Sequence, residues 1–161
     1  MYSDENRSNF IKSDIHTWQY LSERGVGEGV RTCGVAREDL FVVSKVAAEH
    51  KTYEEAKAGI DETLEKMELD YLDMMIIHSP QPWAEVNQSE NRYKEGNRQA
   101  WKALEDAYNE GKLKAIGVSN FQIEDIESLM ETANKDHMKT NADVDFEICL
   151  LYTSPSPRDR G

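Results

Sequence analysis

Lys45, His78 and the pair Ser119–Asn120 each close a short, nearly all-apolar run: Leu40-Phe41-Val42-Val43-Ser44-Lys45, Met74-Met75-Ile76-Ile77-His78 and Ala115-Ile116-Gly117-Val118-Ser119-Asn120-Phe121. An ammonium at the end of a buried strand is costly to keep charged without a partner, so Lys45 is expected to project into a polar cleft. A lysine that snorkels to solvent is the alternative for that residue alone. His78 repeats the pattern at the next strand end, with a histidine satisfied by a backbone carbonyl as its alternative. Neighbouring parallel strands lie about 4.8 Å apart, so an ammonium and an imidazole at equivalent strand ends can meet over one substrate atom. The hydroxyl of Ser119 and the amide of Asn120 together offer donors and acceptors to a ligand; either residue can also cap the helix that follows. Trp83, in Ser79-Pro80-Gln81-Pro82-Trp83, stands on the loop after His78, where it can wall a substrate pocket or face a partner.

These groups need a frame that brings strand ends together. Apolar runs without alternation suit strands buried on both faces, and each run is followed by helical periodicity. Residues 25–31 read as an amphipathic helix weakened by glycine, followed by a strand from Leu40 to Val46. Thr52-Tyr53-Glu54-Glu55 has the layout of a capping box, and Ala56, Ile60, Leu64 and Met67 continue as one buried stripe. An Asp70–Asp73 turn leads into the strand Met74 to Ile77. A third helix carries Trp101, Leu104 and Tyr108 on one face and ends near Gly111, before a strand from Lys114 to Val118. Ile123, Ile126, Met130 and Ala133 mark a fourth helix. The β-α-β-α order with helix-length connections calls for parallel strands, in a barrel or in an open doubly wound sheet.

Composition narrows the function classes. The 161 residues hold 31 acidic and 19 basic side chains, a net charge of −12, which repels nucleic acid and anionic membrane surfaces. No apolar run approaches the ~18 residues of a membrane span and the amino terminus lacks a signal-peptide layout, so a cytoplasmic location is expected. Cys33 and Cys149 stand apart with no metal-binding spacing, so neither a disulfide framework nor a metal site is expected.

In residue identity, order and spacing the three runs resemble the aldo-keto reductase family, over roughly residues 20–148. The resemblance implies a partial TIM (β/α)8 barrel, α/β in class, covering roughly strands 2 to 6. A whole barrel takes roughly 250 residues, so the chain reads as a piece of one. Residues 1–148 form the partial barrel, with 1–19 expected to be irregular and 149–161 a non-native or disordered tail. The family motif Tyr-x-Asn-Glu-x-x-Val-Gly is matched by Tyr20-Leu21-Ser22-Glu23-Arg24-Gly25-Val26-Gly27, with Ser22 in place of asparagine.

The implied activity is NADPH-dependent reduction of aldehydes and ketones. A free phenol has a pKa near ~10, and a neighbouring ammonium such as Lys45 lowers it, making Tyr20 a usable general acid. Tyr20, Lys45 and His78 are thus the implied catalytic residues, Ser119 and Asn120 hold the nicotinamide carboxamide, and Trp83 contacts a small-molecule carbonyl substrate. The family's fourth member is an aspartate five residues before the tyrosine; that position is Ile15, with Asp14 and His16 on either side. The residues that grip the cofactor's phosphates lie after the seventh and eighth strands of the family barrel, so the isolated chain is expected to bind cofactor poorly. Two other readings remain: a Schiff-base lyase with Lys45 as nucleophile, and a non-catalytic barrel that senses nicotinamide or binds a partner.

Overall fold

The computed structural model describes residues 15–16, 22–86 and 88–134. Tyr20 and the tail 149–161 lie outside the described residues. Strands and helices alternate: β1 (Ile15–His16), α1 (Glu23–Thr32), a 3-10 turn (Arg37–Asp39), β2 (Val42–Val46), α2 (Tyr53–Met67), β3 (Met74–Ile77), α3 (Lys94–Asn109), β4 (Ile116–Val118) and α4 (Ile123–Met130). All strand pairs are parallel, in the spatial order β1-β2-β3-β4. A doubly wound sheet reverses its strand order at a switch point. This sheet does not reverse, so among the described residues it is an open arc of barrel type. The expectation that residues 1–19 are irregular is corrected at β1, where Ile15 pairs with Val42 and His16 with Val43.

Register divides the side chains of the sheet into two sets. Ser44 faces Met75 and Val46 faces Ile77, while Met75 faces Ile116 and Ile77 faces Val118. With Val42, these residues form the helix-covered face; Val42, Val46, Met75 and Ile77 are fully buried. They pack with Ile60, Leu64 and Met67 of α2 and Ala100, Leu104 and Ala107 of α3 in one core. Lys45 and Ile76, paired across the other face, are only half-buried.

The helix boundaries follow local chemistry. Thr52 Oγ1 accepts the Glu55 N–H at 3.2 Å, and Glu55 Oε2 accepts the Thr52 N–H at 3.1 Å, so the capping box forms as its spacing predicts. Gly111 takes φ +78° beyond the end of α3, letting the Lys112 N–H reach the Ala107 carbonyl at 3.0 Å. Two helix faces differ from expectation. Tyr108 is 40% exposed because it sits in the last turn of α3, past the edge of the core formed by Ala100, Leu104 and Ala107. On α4, Ile123 and Met130 face outward, while Leu129 is buried against the core; Arg98 of α3 fixes that orientation by donating to the Ser128 carbonyl at 3.1 Å.

At the amino-terminal ends of the strands, one carboxylate gathers β2, β3 and β4. Asp73, 6% exposed, accepts the Val42 N–H at 2.9 Å and pairs with Arg37 at 2.7 Å and with Lys114 at 3.5 Å. The same two cations lie on the ring of Tyr71, at 4.0 and 3.8 Å from its centroid. Strand β2 begins at Val42 rather than at Leu40, because Leu40 closes the 3-10 turn through its N–H to the Arg37 carbonyl.

Helix α1 docks on α2 by backbone contact. A Cβ added at Gly27 would lie 2.0 Å from the Met67 carbonyl oxygen, whereas at Gly25 or Gly29 it would meet nothing within 4 Å. Gly27→Ala is therefore expected to lower stability by about 1–3 kcal/mol, the usual cost of overpacking. Gly29→Ala should raise it by about 0.5–1 kcal/mol through helix propensity. Urea denaturation midpoints check the pair, and equal effects at the two positions would refute the close-contact account.

Candidate active site

Lys45 pairs in register with Ile76, and the His78 N–H donates to the Val46 carbonyl at 3.1 Å. His78 therefore lies two residues beyond the cross-strand partner of Lys45. The two side chains leave the same face diagonally, not from equivalent strand ends as expected. Both line one open cleft of about 620 Å³ including its mouth, with Glu49 and Trp83 beside them and Glu23 and Thr63 at its helical wall. The imidazole of His78 contacts the indole of Trp83 edge to face, with centroids 4.7 Å apart and planes at 83°.

Burial and, less strongly, the Lys45 charge hold the His78 pKa below its ordinary value of 6.5, against a smaller opposing pull from Glu49. At neutral pH the ring is thus uncharged, with one N–H to donate. Lys45 supplies the fixed positive charge nearby.

Ser119 and Asn120 end β4 beside this group. The Ser119 hydroxyl donates to the His78 carbonyl at 2.8 Å, and Asn120 Nδ2 donates to the same oxygen at 2.7 Å. Neither residue caps α4: the cap is Gln122, reciprocated by Asp125. The capping role weighed for both is corrected, because the chain turns at Asn120 with φ +61° before the helix begins. A left-handed non-glycine residue is uncommon, asparagine is the type enriched there, and such strain gathers at functional sites.

The loop carrying Trp83 is shaped by a polar framework that the sequence reading missed. Lys51 Nζ donates to the Ser79 carbonyl at 3.0 Å and to Asn97 Oδ1 at 2.8 Å. Asn97 Nδ2 in turn donates to the carbonyls of Pro80 and Arg92 at 3.0 and 3.1 Å. The Trp83 N–H donates to Glu49 Oε1 at 3.3 Å, tying the loop to the segment after β2. Within the tyrosine motif, Glu23 is 7% exposed and accepts the Thr63 hydroxyl at 2.9 Å, with Lys66 at 3.7 Å. Glu23 and Gly27 thus fasten the helix that follows Tyr20 onto α2. Tyr20 itself lies outside the described residues.

A parallel α/β arc with lysine and histidine at adjacent strand ends has clear relatives. Residues 17–156 match the Aldo/keto reductase family. The chain belongs to that family. It is 44% identical over 114 residues to a glyoxal reductase of Bacillus subtilis, covering 71% of this chain and 37% of that protein. An uncharacterised oxidoreductase of the same organism is 48% identical over 118 residues, covering 71% and 38%. Among solved structures, an aldo/keto reductase of Brucella melitensis aligns with a TM-score of 0.60 at 33% identity over 69% of this chain and 39% of that one. A Bombyx mori aldo-keto reductase in complex with NADP aligns with a TM-score of 0.55 at 29% identity, covering 69% and 36%. The chain thus spans under two-fifths of the length of the relatives it matches. None of its described helices is long and apolar enough to cross a membrane.

Within this aldo-keto reductase segment, burial moves the Lys51 pKa down to about 8 from 10.5, against the raising pull of Glu49 and Asp125. Between those two values the unfolded chain holds the proton and the folded chain releases it, so stability rises with pH across that window and the gain is lost as pH falls through 8. Lys51→Met removes this linkage. Denaturant titrations of parent and variant from pH 7.5 to 10.5 should show the parent gaining relative to the variant as pH rises; a constant difference would count against the buried ammonium.

Proposed function

We propose that the chain carries the carbonyl-polarising part of an NADPH-dependent reductase that converts small aldehydes and ketones to alcohols. The observation that carries this reading is the His78 imidazole, held edge to face against Trp83 and sharing one cleft with Lys45. A neutral imidazole N–H donates to a carbonyl oxygen without surrendering its proton, and a fixed positive charge nearby favours the negative charge that grows there. Trp83 forms the apolar wall against which a small carbonyl compound packs. The glyoxal reductase relative supports small, reactive aldehydes as the substrate class.

Tyr20 is assigned as the acid that protonates the developing alkoxide. Its support is the motif around it, whose Glu23 and Gly27 both make anchoring contacts to α2. The Lys45 charge favours the phenolate and lowers the phenol's pKa toward neutrality.

The residues at the end of β4 fit a nicotinamide carboxamide. With its amide nitrogen on the His78 carbonyl, Asn120 keeps its side-chain oxygen as an acceptor, and the Ser119 hydroxyl oxygen keeps lone pairs. Bound there, reduced nicotinamide would supply the hydride. The part of this chain is to hold the carboxamide, orient the carbonyl and deliver the proton.

His78→Ala in the protein carrying this chain is expected to lower kcat/KM for a small aldehyde by about 100-fold or more, and Tyr20→Phe to do so chiefly through kcat. Steady-state kinetics with NADPH check both; full turnover in both variants would defeat the assignment. Borohydride should trap no substrate on Lys45, and a covalent adduct there would establish the lyase reading. The isolated 161-residue chain should bind NADPH weakly, and tight stoichiometric binding by calorimetry would overturn that expectation.

A further inference from the structure

A single guanidinium joins the Trp83 loop to the start of α4. Arg92 forks onto Asp125: Nε donates to Oδ1 at 2.9 Å and Nη2 donates to Oδ2. Its Nη1 donates to Oε1 of Gln81 at 3.2 Å, and Gln81 Nε2 reaches the carbonyls of Ser89 and Asn91, at 2.8 Å each. Gln81 and Asp125 are only 1% and 2% exposed, while the guanidinium between them keeps an edge toward solvent, where the exposed Glu124 carboxylate lies 3.5 Å from Nε. Asp125 Oδ2 also accepts the Gln122 N–H at 2.9 Å, which sets the first turn of α4 just after Ser119 and Asn120. Gln81 stands two residues before Trp83. One carboxylate and one guanidinium therefore hold both the loop on the substrate side and the turn on the nicotinamide side.

We propose that Arg92, gripped by Asp125, is a positioning residue that fixes Trp83 relative to the Ser119–Asn120 turn, so that substrate wall and carboxamide site are set as a unit. This rests on the assignments of Trp83, Ser119 and Asn120 made above. Net stability is a weak reason to retain the pair, since apolar packing of similar volume often serves as well as a buried ion pair. Direction is a better one. The planar fork serves three acceptor atoms at fixed angles, Asp125 Oδ1 and Oδ2 and Gln81 Oε1, which a lysine ammonium, a point charge on a flexible stem, cannot reproduce.

The test labels the full chain with 5-fluorotryptophan at its 3 tryptophans, Trp18, Trp83 and Trp101, and compares the parent with Arg92→Lys and Asp125→Asn. The Trp83 resonance, assigned with Trp83→Phe, is expected to move toward its unfolded-chain position and to gain a larger solvent-isotope shift in both variants. The resonance of Trp101, buried in the core, should stay in place. In the protein carrying this chain, the NADPH Kd and the carbonyl KM should rise together by about tenfold, with kcat changed by no more than about twofold, as when one charge-assisted contact is removed. An unmoved Trp83 resonance, or a rise in only one of the two constants, overturns the proposal. So does displacement of Trp101 along with Trp83, which would make the pair a plain fold-holder. If the parent binds no NADPH, the reductase reading fails, and the fluorine spectra alone decide the positioning role.

Discussion

Parallel pairing between β2 and β3 is the constraint on which the other features depend. Once Ser44 faces Met75 and Val46 faces Ile77, the buried apolar set turns toward the helices and the intervening residues turn away. A slip of one residue would turn Lys45 toward the core and take Val46 out of it. The cost of burying an ammonium there protects the register, so the chemistry of the candidate site and the stability of the sheet favour the same alignment.

The two ends of the sheet are held by different means. At the amino-terminal ends, Asp73, Arg37, Lys114 and Tyr71 make a compact knot around the start of β2, β3 and β4. At the carboxyl-terminal ends, the strands give way to loops whose backbone carbonyls are satisfied by side chains distant in sequence: Lys51 and Asn97 under Ser79 and Pro80, and Ser119 and Asn120 on His78. Loops built this way present a shaped polar surface without the apolar cover that would close it to a ligand.

Much of the architecture was legible because it rests on local rules. Thr52 and Glu55 are close enough in sequence for the capping box to be read directly, and Gly111 announces its own left-handed turn. The strand runs around Lys45 and His78 showed themselves by apolar length and a polar end. The framework beneath Trp83 left no such trace. Lys51 is 46 residues from Asn97 and Arg92 is 33 from Asp125, so each looks like an ordinary surface charge until the fold brings its partner near. The exposed side of α4 was misread for a related reason. Ile123 and Met130 have helical spacing, yet the register of α4 against α3 is set by polar contacts from Arg98 that spacing does not encode.

The contact between α1 and α2 acts as a ruler. Met67 is the last residue of α2, and its carbonyl oxygen is met by the bare Cα surface of Gly27 and by Arg31 Nη1 at 2.6 Å. The oxygen that a helix end leaves without an intrahelical partner is thus received by a neighbour at a fixed height. A residue inserted into or deleted from α2 would rotate its end by about 100° and shift it by about 1.5 Å, moving that oxygen off both contacts. The length of α2 is therefore gauged by the helix beside it, and changes in chain length are better accommodated in the loops than within the helix that carries the cleft's inner wall.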